Sequence, residues 1–207
     1  YPGQGGTMSK QGCVPTTTAM AVSSLTGKMI TPDVMADYVI NHKLAAGDVG
    51  TSQRLAQAMA KEYDLNYKES NNTAEVDKFI ANGDGIVVAR MKPNSHFTTN
   101  GHVIGIMGME GDYYIVHDSN QYNSHYGTDS GIIKTSTPGV IKVPKSLIAA
   151  EADNWKYPAF QMLGKKPALP NAGTAQAQTP AATGSPTQQR QDILPDTDIR
   201  PPEPPRL

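Results

Sequence analysis

The sequence predicts an α+β fold, with a helical N-terminal part set against an antiparallel sheet. Three observations predict it. Helix-type apolar patterns fill the chain up to about residue 83. Strand-type runs follow: "GIVVARM", "HVIGIMGM", "YYIVHDS" and "GVIKV". Two of these runs are joined by "EGD", which forms a tight hairpin. Helices first and strands after is the segregation of α+β proteins, whereas a wound parallel sheet alternates the two. No internal repeat is visible.

Each element has a local reason. After Cys13, the residues Met20, Ala21, Ser24 and Leu25 give an apolar-to-small helical face, and Gly27 is a C-terminal stop. "TPDVMADYVINHK" opens with Thr31 as N-cap and Pro32 at the first helical position. "TSQRLAQAMAKEYDL" repeats apolar residues at Leu55, Met59 and Tyr63, a helical spacing. "TAEVDKFIANG" starts a helix at Thr73, with Glu75 nearby, and ends at Gly83. "GIVVARM" then reads as a buried strand, because it holds the short apolar run "GIVVA".

Composition narrows the function. The 207 residues carry a formal net charge of -1, so there is no electrostatic case for nucleic acid or an anionic membrane. The longest apolar runs are a few residues, well short of the ~20 of a membrane span. A single cysteine excludes an intrachain disulfide framework and a multi-cysteine zinc site. The chain opens on Tyr1 rather than Met, which is expected of a fragment or a processed product. The expected domain is residues 1–164. Residues 165–207 are rich in Pro, Ala, Thr and Gln and nearly devoid of large apolar side chains. Such a segment cannot bury enough surface to offset its ordering entropy, so a disordered tail or linker is expected, with "DILP" as a candidate docking motif.

The lone Cys13 stands in "QGCVPTTTAM". Pro15 and the threonines suit a first helical turn, so Cys13 falls at the helix N-terminus. There the macrodipole and free N–H groups favour a thiolate, and could also bind the oxyanion of a tetrahedral intermediate. Gly12 would let the backbone approach a substrate. On its own, a cysteine at a helix start is more often an ordinary half-buried residue. Nucleophilic catalysis also needs a base.

Five histidines are candidates: His42, His96, His102, His117 and His125. His42 ends a predicted helix, and His125 lies in the polar loop "NQYNSHYGTDSG". His102 begins one strand of the hairpin and Asp118 lies at the end of the other, so the two should be cross-strand neighbours. A carboxylate there could hold the imidazole's tautomer and orientation. A simple His–Asp hydrogen bond at a sheet edge is the plainer alternative. His117 should point to the face opposite Asp118.

Taken together, "QGCVPTTTAMAVSSLTGKMITPDVMADY", a helix pair, "GIVVARM" and "HFTTNGHVIGIMGMEGDYYIVHDSN" resemble the papain-like cysteine peptidases. The closest branch is that of the bacteriocin-leader-processing peptidase domains and their free-standing relatives. The resemblance covers roughly residues 1 to 150. It implies a papain-like fold with Cys13 as nucleophile, His102 as general base and Asp118 as orienting acid. It also implies a Gln whose amide helps bind the oxyanion; Gln4, in "YPGQ", is favoured over Gln11, which stands only two residues before Cys13. The family usually carries Gly after the Cys, where this chain has Val14, a change expected to narrow the groove or stiffen the backbone. Exporter and Walker motifs are absent from the sequence, so leader processing coupled to export is not implied.

The resulting expectation is a cysteine endopeptidase that needs no metal or organic cofactor and acts on protein or peptide substrates. A toxin or effector domain of a larger secreted bacterial protein, active in a reducing cytosol and opposed by an immunity protein, suits the sequence. Rival readings are a peptidoglycan amidase or glutamine deamidase with the same triad, and an inactive binding module. A metal module built on His96, His102, His117 and Asp118 matches no zinc signature.

Overall fold

A computed structural model describes residues 7–45 and 54–166. Among these residues, six helices and seven strands follow in the order α1 (Met8–Gln11), α2 (Cys13–Thr26), α3 (Pro32–Asn41), α4 (Leu55–Glu62), β1 (Asn66–Ser70), α5 (Thr73–Ala81), β2 (Gly85–Met91), β3 (His102–Glu110), β4 (Tyr113–His117), β5 (Ile133–Lys134), β6 (Val140–Pro144), α6 (Lys145–Glu151) and β7 (Phe160–Gly164). The strands form one antiparallel sheet in the order β1-β7-β2-β3-β4-β6-β5. The α+β prediction holds, with the early helices packed on an antiparallel sheet.

The sheet separates two apolar layers, and strand alternation decides which residue enters which. Ile86 and Val88 of β2, Val103 of β3 and Leu163 of β7 face α2, α3 and α4, where Val22, Met35, Leu55 and Met59 are buried. Val87, Ala89 and Met91, with Ile104, Ile106, Phe160 and Met162, face the other way. There they pack with Val76 and Ile80 of α5 and Ile148 of α6. β2 is covered on both sides, which is why "GIVVA" reads as one continuous apolar run.

Helix α2 lies against both the sheet and the neighbouring helices. Val14, Pro15, Thr17, Thr18, Ala19, Ala21, Val22 and Leu25 are all buried. A helix buried on most of its circumference has no clean apolar stripe; accordingly Ser24, placed on the expected face, is exposed. The helix stops at Gly27, whose φ of 72° is left-handed and whose N–H donates to the Ser23 carbonyl. Pro32 opens α3 as expected, with Thr31 at the N-cap. The Thr31 hydroxyl, however, bonds the Asp33 carboxylate rather than a backbone N–H. α5 is capped by Asn72, whose side chain accepts from the Ala74 N–H at 2.9 Å.

Five elements are additions to the sequence reading: α1, β1, β5, α6 and β7. β7 lies between β1 and β2, so the last strand among the described residues is an inner strand of the sheet. β7 ends at Gly164; the tail expected from residue 165 lies, beyond Lys166, outside the described residues.

Candidate active site

Cys13 is the first residue of α2, and Gly12 alone separates that helix from α1. A Cβ on Gly12 would lie 2.2 Å from the Met8 carbonyl oxygen. The glycine therefore permits the tight junction between the helices, besides lining the cleft beside Cys13. Cys13 is partly buried. Val14 turns the other way, 6% exposed in the helical core, so its bulk does not narrow the groove. The helix is tied to β3 by the buried Thr17 hydroxyl, which donates to the Val103 carbonyl at 3.1 Å. Thr17 stands one helical turn after Cys13 and Val103 directly after His102. This bond therefore sets the nucleophile's helix against the histidine's strand.

His102 opens β3 opposite Met91 of β2. Its Nε2–H donates to Asp118 Oδ1 at 2.6 Å. Asp118 follows the end of β4 and is fixed there by its N–H, which donates to the Gly139 carbonyl at 2.7 Å. The expected meeting of His102 and Asp118 occurs, but through a device that was not expected. The β3–β4 register shifts between Ile106 and Gly108, a β-bulge. Below it, Ile106 pairs with Val116 and Gly105 with His117. Continued one step, that register sets Ile104 opposite Asp118, so His102 and Asp118 share a face. The register above the bulge, extended without a shift, would set Asp118 opposite Gly105, on the other face.

Asp118 has a fully buried side chain and four donors. Oδ1 accepts from His102 Nε2 and, at 2.8 Å, from the Asn120 N–H. Oδ2 accepts from the Tyr126 hydroxyl at 2.7 Å and from Asn123 Nδ2 at 3.1 Å. Burial alone would raise this carboxyl, but His102, Tyr126 and Asn120 outweigh it and hold the group below the ordinary carboxylate value. Burial pulls His102 downward as well. Its hydrogen bonds and charge interactions with Asp118 and Cys13 outweigh that, and the ring is pushed up to about 9. Both contacts favour the protonated ring.

These groups lie at a cleft of about 410 Å³. Met8, Gly12, Cys13 and Thr16 line it from the helical side. Phe97, Thr98, Asn100, Gly101 and His102 come from the β2–β3 connection, and Ser119, Asn120 and His125 from the loop after β4. Among the described residues the lining holds no carboxylate. Gln11, buried at the end of α1, is not among these residues. Gln4 lies outside the described residues.

The other histidines have separate partners. His42 stacks on Tyr38 at 3.8 Å between ring centroids, and its Nδ1–H donates to the Tyr38 carbonyl. His96 Nδ1 meets Glu151 Oε1 at 2.5 Å, and its backbone N–H donates to Oε2 at 3.0 Å. His117 pairs with Gly105, and its burial pushes its basicity down. No three His, Cys, Asp or Glu side chains gather as metal ligands among the described residues. Sequence reasoning missed Asn123 and Tyr126, which stand in a stretch read as a polar, solvated loop. The signal available there was the cluster of an amide and an aromatic hydroxyl a few residues after a candidate acid.

Comparison with known proteins agrees with this architecture. The sequence pattern described as the Peptidase_C39 like family matches residues 4–135. Among solved structures, a putative C39-like peptidase from Bacillus anthracis is 16% identical with a TM-score of 0.52, over 77% of this chain and 90% of that one. The peptidase domain of Streptococcus ComA, a bi-functional ABC transporter involved in a quorum sensing pathway, is 14% identical with a TM-score of 0.49, over 75% and 93%. At 16% identity the likeness to the Bacillus anthracis structure is one of fold. No curated protein matches the chain. The fold is that of the papain-like cysteine peptidases, with helices at the N-terminus packed on an antiparallel sheet. Within that class, the chain belongs to the Peptidase_C39 like family.

Proposed function

We propose that the chain is a cysteine endopeptidase with Cys13 as nucleophile, His102 as general base and Asp118 as orienting acid. One observation carries the reading: the His102 ring, 10% exposed, is held by Asp118 and interacts with the Cys13 sulfur at the wall of an open cleft. In this mechanism His102 takes the proton from Cys13, and the thiolate attacks a peptide carbonyl carbon. The tetrahedral oxyanion forms at the start of α2, where the Cys13 N–H and a glutamine amide, Gln4 in preference to Gln11, donate to it. The C–N bond then breaks, His102 gives its proton to the leaving amine, and a thioester remains. Water, deprotonated by His102, hydrolyses the thioester and restores the thiolate–imidazolium pair. Asp118 keeps Nε2–H engaged throughout, so that Nδ1 is the nitrogen that exchanges protons with sulfur and substrate.

The test is a map of new protein N-termini after brief exposure of a proteome extract to wild type and to Cys13→Ala. Termini that depend on Cys13 are the expected result. Their absence, with ammonia released from glutamine or amide bonds cut in cell-wall sacculi, would replace the endopeptidase with a deamidase or amidase. A toxin or effector setting, with an immunity protein as partner, is the finer part of the proposal. Growth arrest on cytosolic expression of wild type but not of Cys13→Ala checks it.

A further inference from the structure

The loop after β4 does more than connect strands. Asn123 is 2% exposed and Tyr126 5% exposed, although both belong to a polar surface stretch. Their side chains converge on one atom, Asp118 Oδ2, at 3.1 and 2.7 Å. The other carboxylate oxygen is left to His102 and the Asn120 N–H. We infer that Asn123 and Tyr126 are positioning residues, a two-donor clamp that fixes the rotation of the Asp118 carboxylate and thereby the hold on His102. The inference rests on the triad reading above.

The physical need for a clamp is specific. The terminal torsion of an aspartate is broad and roughly two-fold, so backbone placement alone leaves the carboxylate plane free to turn. Anchoring Oδ2 removes that freedom and keeps Oδ1 on the His102 side. Asn123 has further duties. Its Nδ2 also donates to the Phe97 carbonyl at 2.9 Å, and its Oδ1 accepts from the His125 N–H at 2.9 Å. Phe97 and His125 both line the cleft. One amide therefore joins the acid to two segments of the cleft wall. Tyr126 packs its ring edge-on to Phe97, with centroids 6.1 Å apart at 76°, and Lys134 lies over the same ring. Removing only its hydroxyl leaves that packing in place.

Cys13 is the sole cysteine, so iodoacetamide reads the site without a known substrate. Alkylation rates are measured against pH for the full chain, Tyr126→Phe, Asn123→Ser and His102→Ala, with melting temperatures alongside. On the acid side the rate depends on the imidazolium that supports the thiolate; at alkaline pH the thiolate forms without it. Tyr126→Phe should slow acid-side alkylation about threefold or more, shifting that limb up by about half a pH unit, and converge with wild type at alkaline pH. Asn123→Ser should shift the same limb in the same direction. A residue that only stabilises the loop would instead open the cleft and change the rate at every pH. Acid limbs of Tyr126→Phe and Asn123→Ser that coincide with wild type, while His102→Ala is shifted, overturn the clamp alone. A His102→Ala profile identical to wild type overturns the triad reading, and the clamp with it.

Discussion

Asp118→Asn replaces one oxygen by an NH₂ group and removes the charge, and the four donors around Asp118 determine the outcome. Two donors meet each oxygen. The amide oxygen can serve only one pair. If it faces His102 and the Asn120 N–H, its NH₂ meets Tyr126 and Asn123 Nδ2. The Tyr126 hydroxyl can rotate and accept, but Asn123 Nδ2 cannot. A buried donor left without a partner costs about 1–3 kcal/mol. The charge matters separately. His102 is raised from its ordinary 6.5 to about 9, a difference worth about 3 kcal/mol between its protonation states. The His102 part of the Asp118 depression arises from the same contact, so that energy is counted once. Because the folded-state value lies above the unfolded one, the stabilisation is complete below pH about 6.5 and disappears as pH rises through about 9. The asparagine variant loses the Asp118 share of what outweighs burial and keeps the Cys13 share, so its His102 is less basic than in wild type and this decline is smaller. The assay is denaturant unfolding of both chains at pH values below, within and above that window. Wild type should exceed the variant by several kcal/mol at the acid end, and the gap should narrow across the window by the Asp118 share of that energy, at most about 3 kcal/mol. A gap that is constant with pH would refute the assignment of the His102 shift to Asp118.

Gly139 has φ +78°, and a Cβ there would lie 2.8 Å from the Asp118 carbonyl oxygen; Gly139→Ala should cost about 1–3 kcal/mol and displace the acid, read as a lower melting temperature together with slower acid-side alkylation of Cys13. Thr17→Val deletes the hydroxyl that bonds the Val103 carbonyl at nearly constant volume; unfolding experiments should show a loss of about 1 kcal/mol, and turnover should fall because α2 and β3 lose their shared anchor. A chain ending at Lys166 keeps the Lys166–Asp64 ion pair and the Asn66 bond to the Lys165 carbonyl and should melt within a few degrees of the full chain. A chain ending at Ala159 lacks β7, the strand between β1 and β2, and should give no cooperative unfolding transition by circular dichroism.

Local chemistry was legible in the sequence because it acts over a few residues. Gly27 stops α2, Pro32 opens α3, and the spacing of Leu55 and Met59 marks α4. Cys13 at a helix start, and His102 and Asp118 at the open end of one hairpin, were readable for the same reason: each depends on turn and strand periodicities. Pairings between distant segments were not. β7 is buried throughout and carries no polar alternation to mark it as a strand. Its place between β1 and β2 depends on contacts across the whole domain. The tertiary structure also decided which face Asp118 takes, because a one-residue shift between Ile106 and Gly108 reverses the alternation. It turned Val14 into the core rather than the groove, through the packing of α2 on the sheet and its neighbouring helices. It also buried Asn123 and Tyr126 against Asp118. Their polar side chains look solvent-seeking in sequence. Only a buried carboxylate that must have its oxygens satisfied draws them inward.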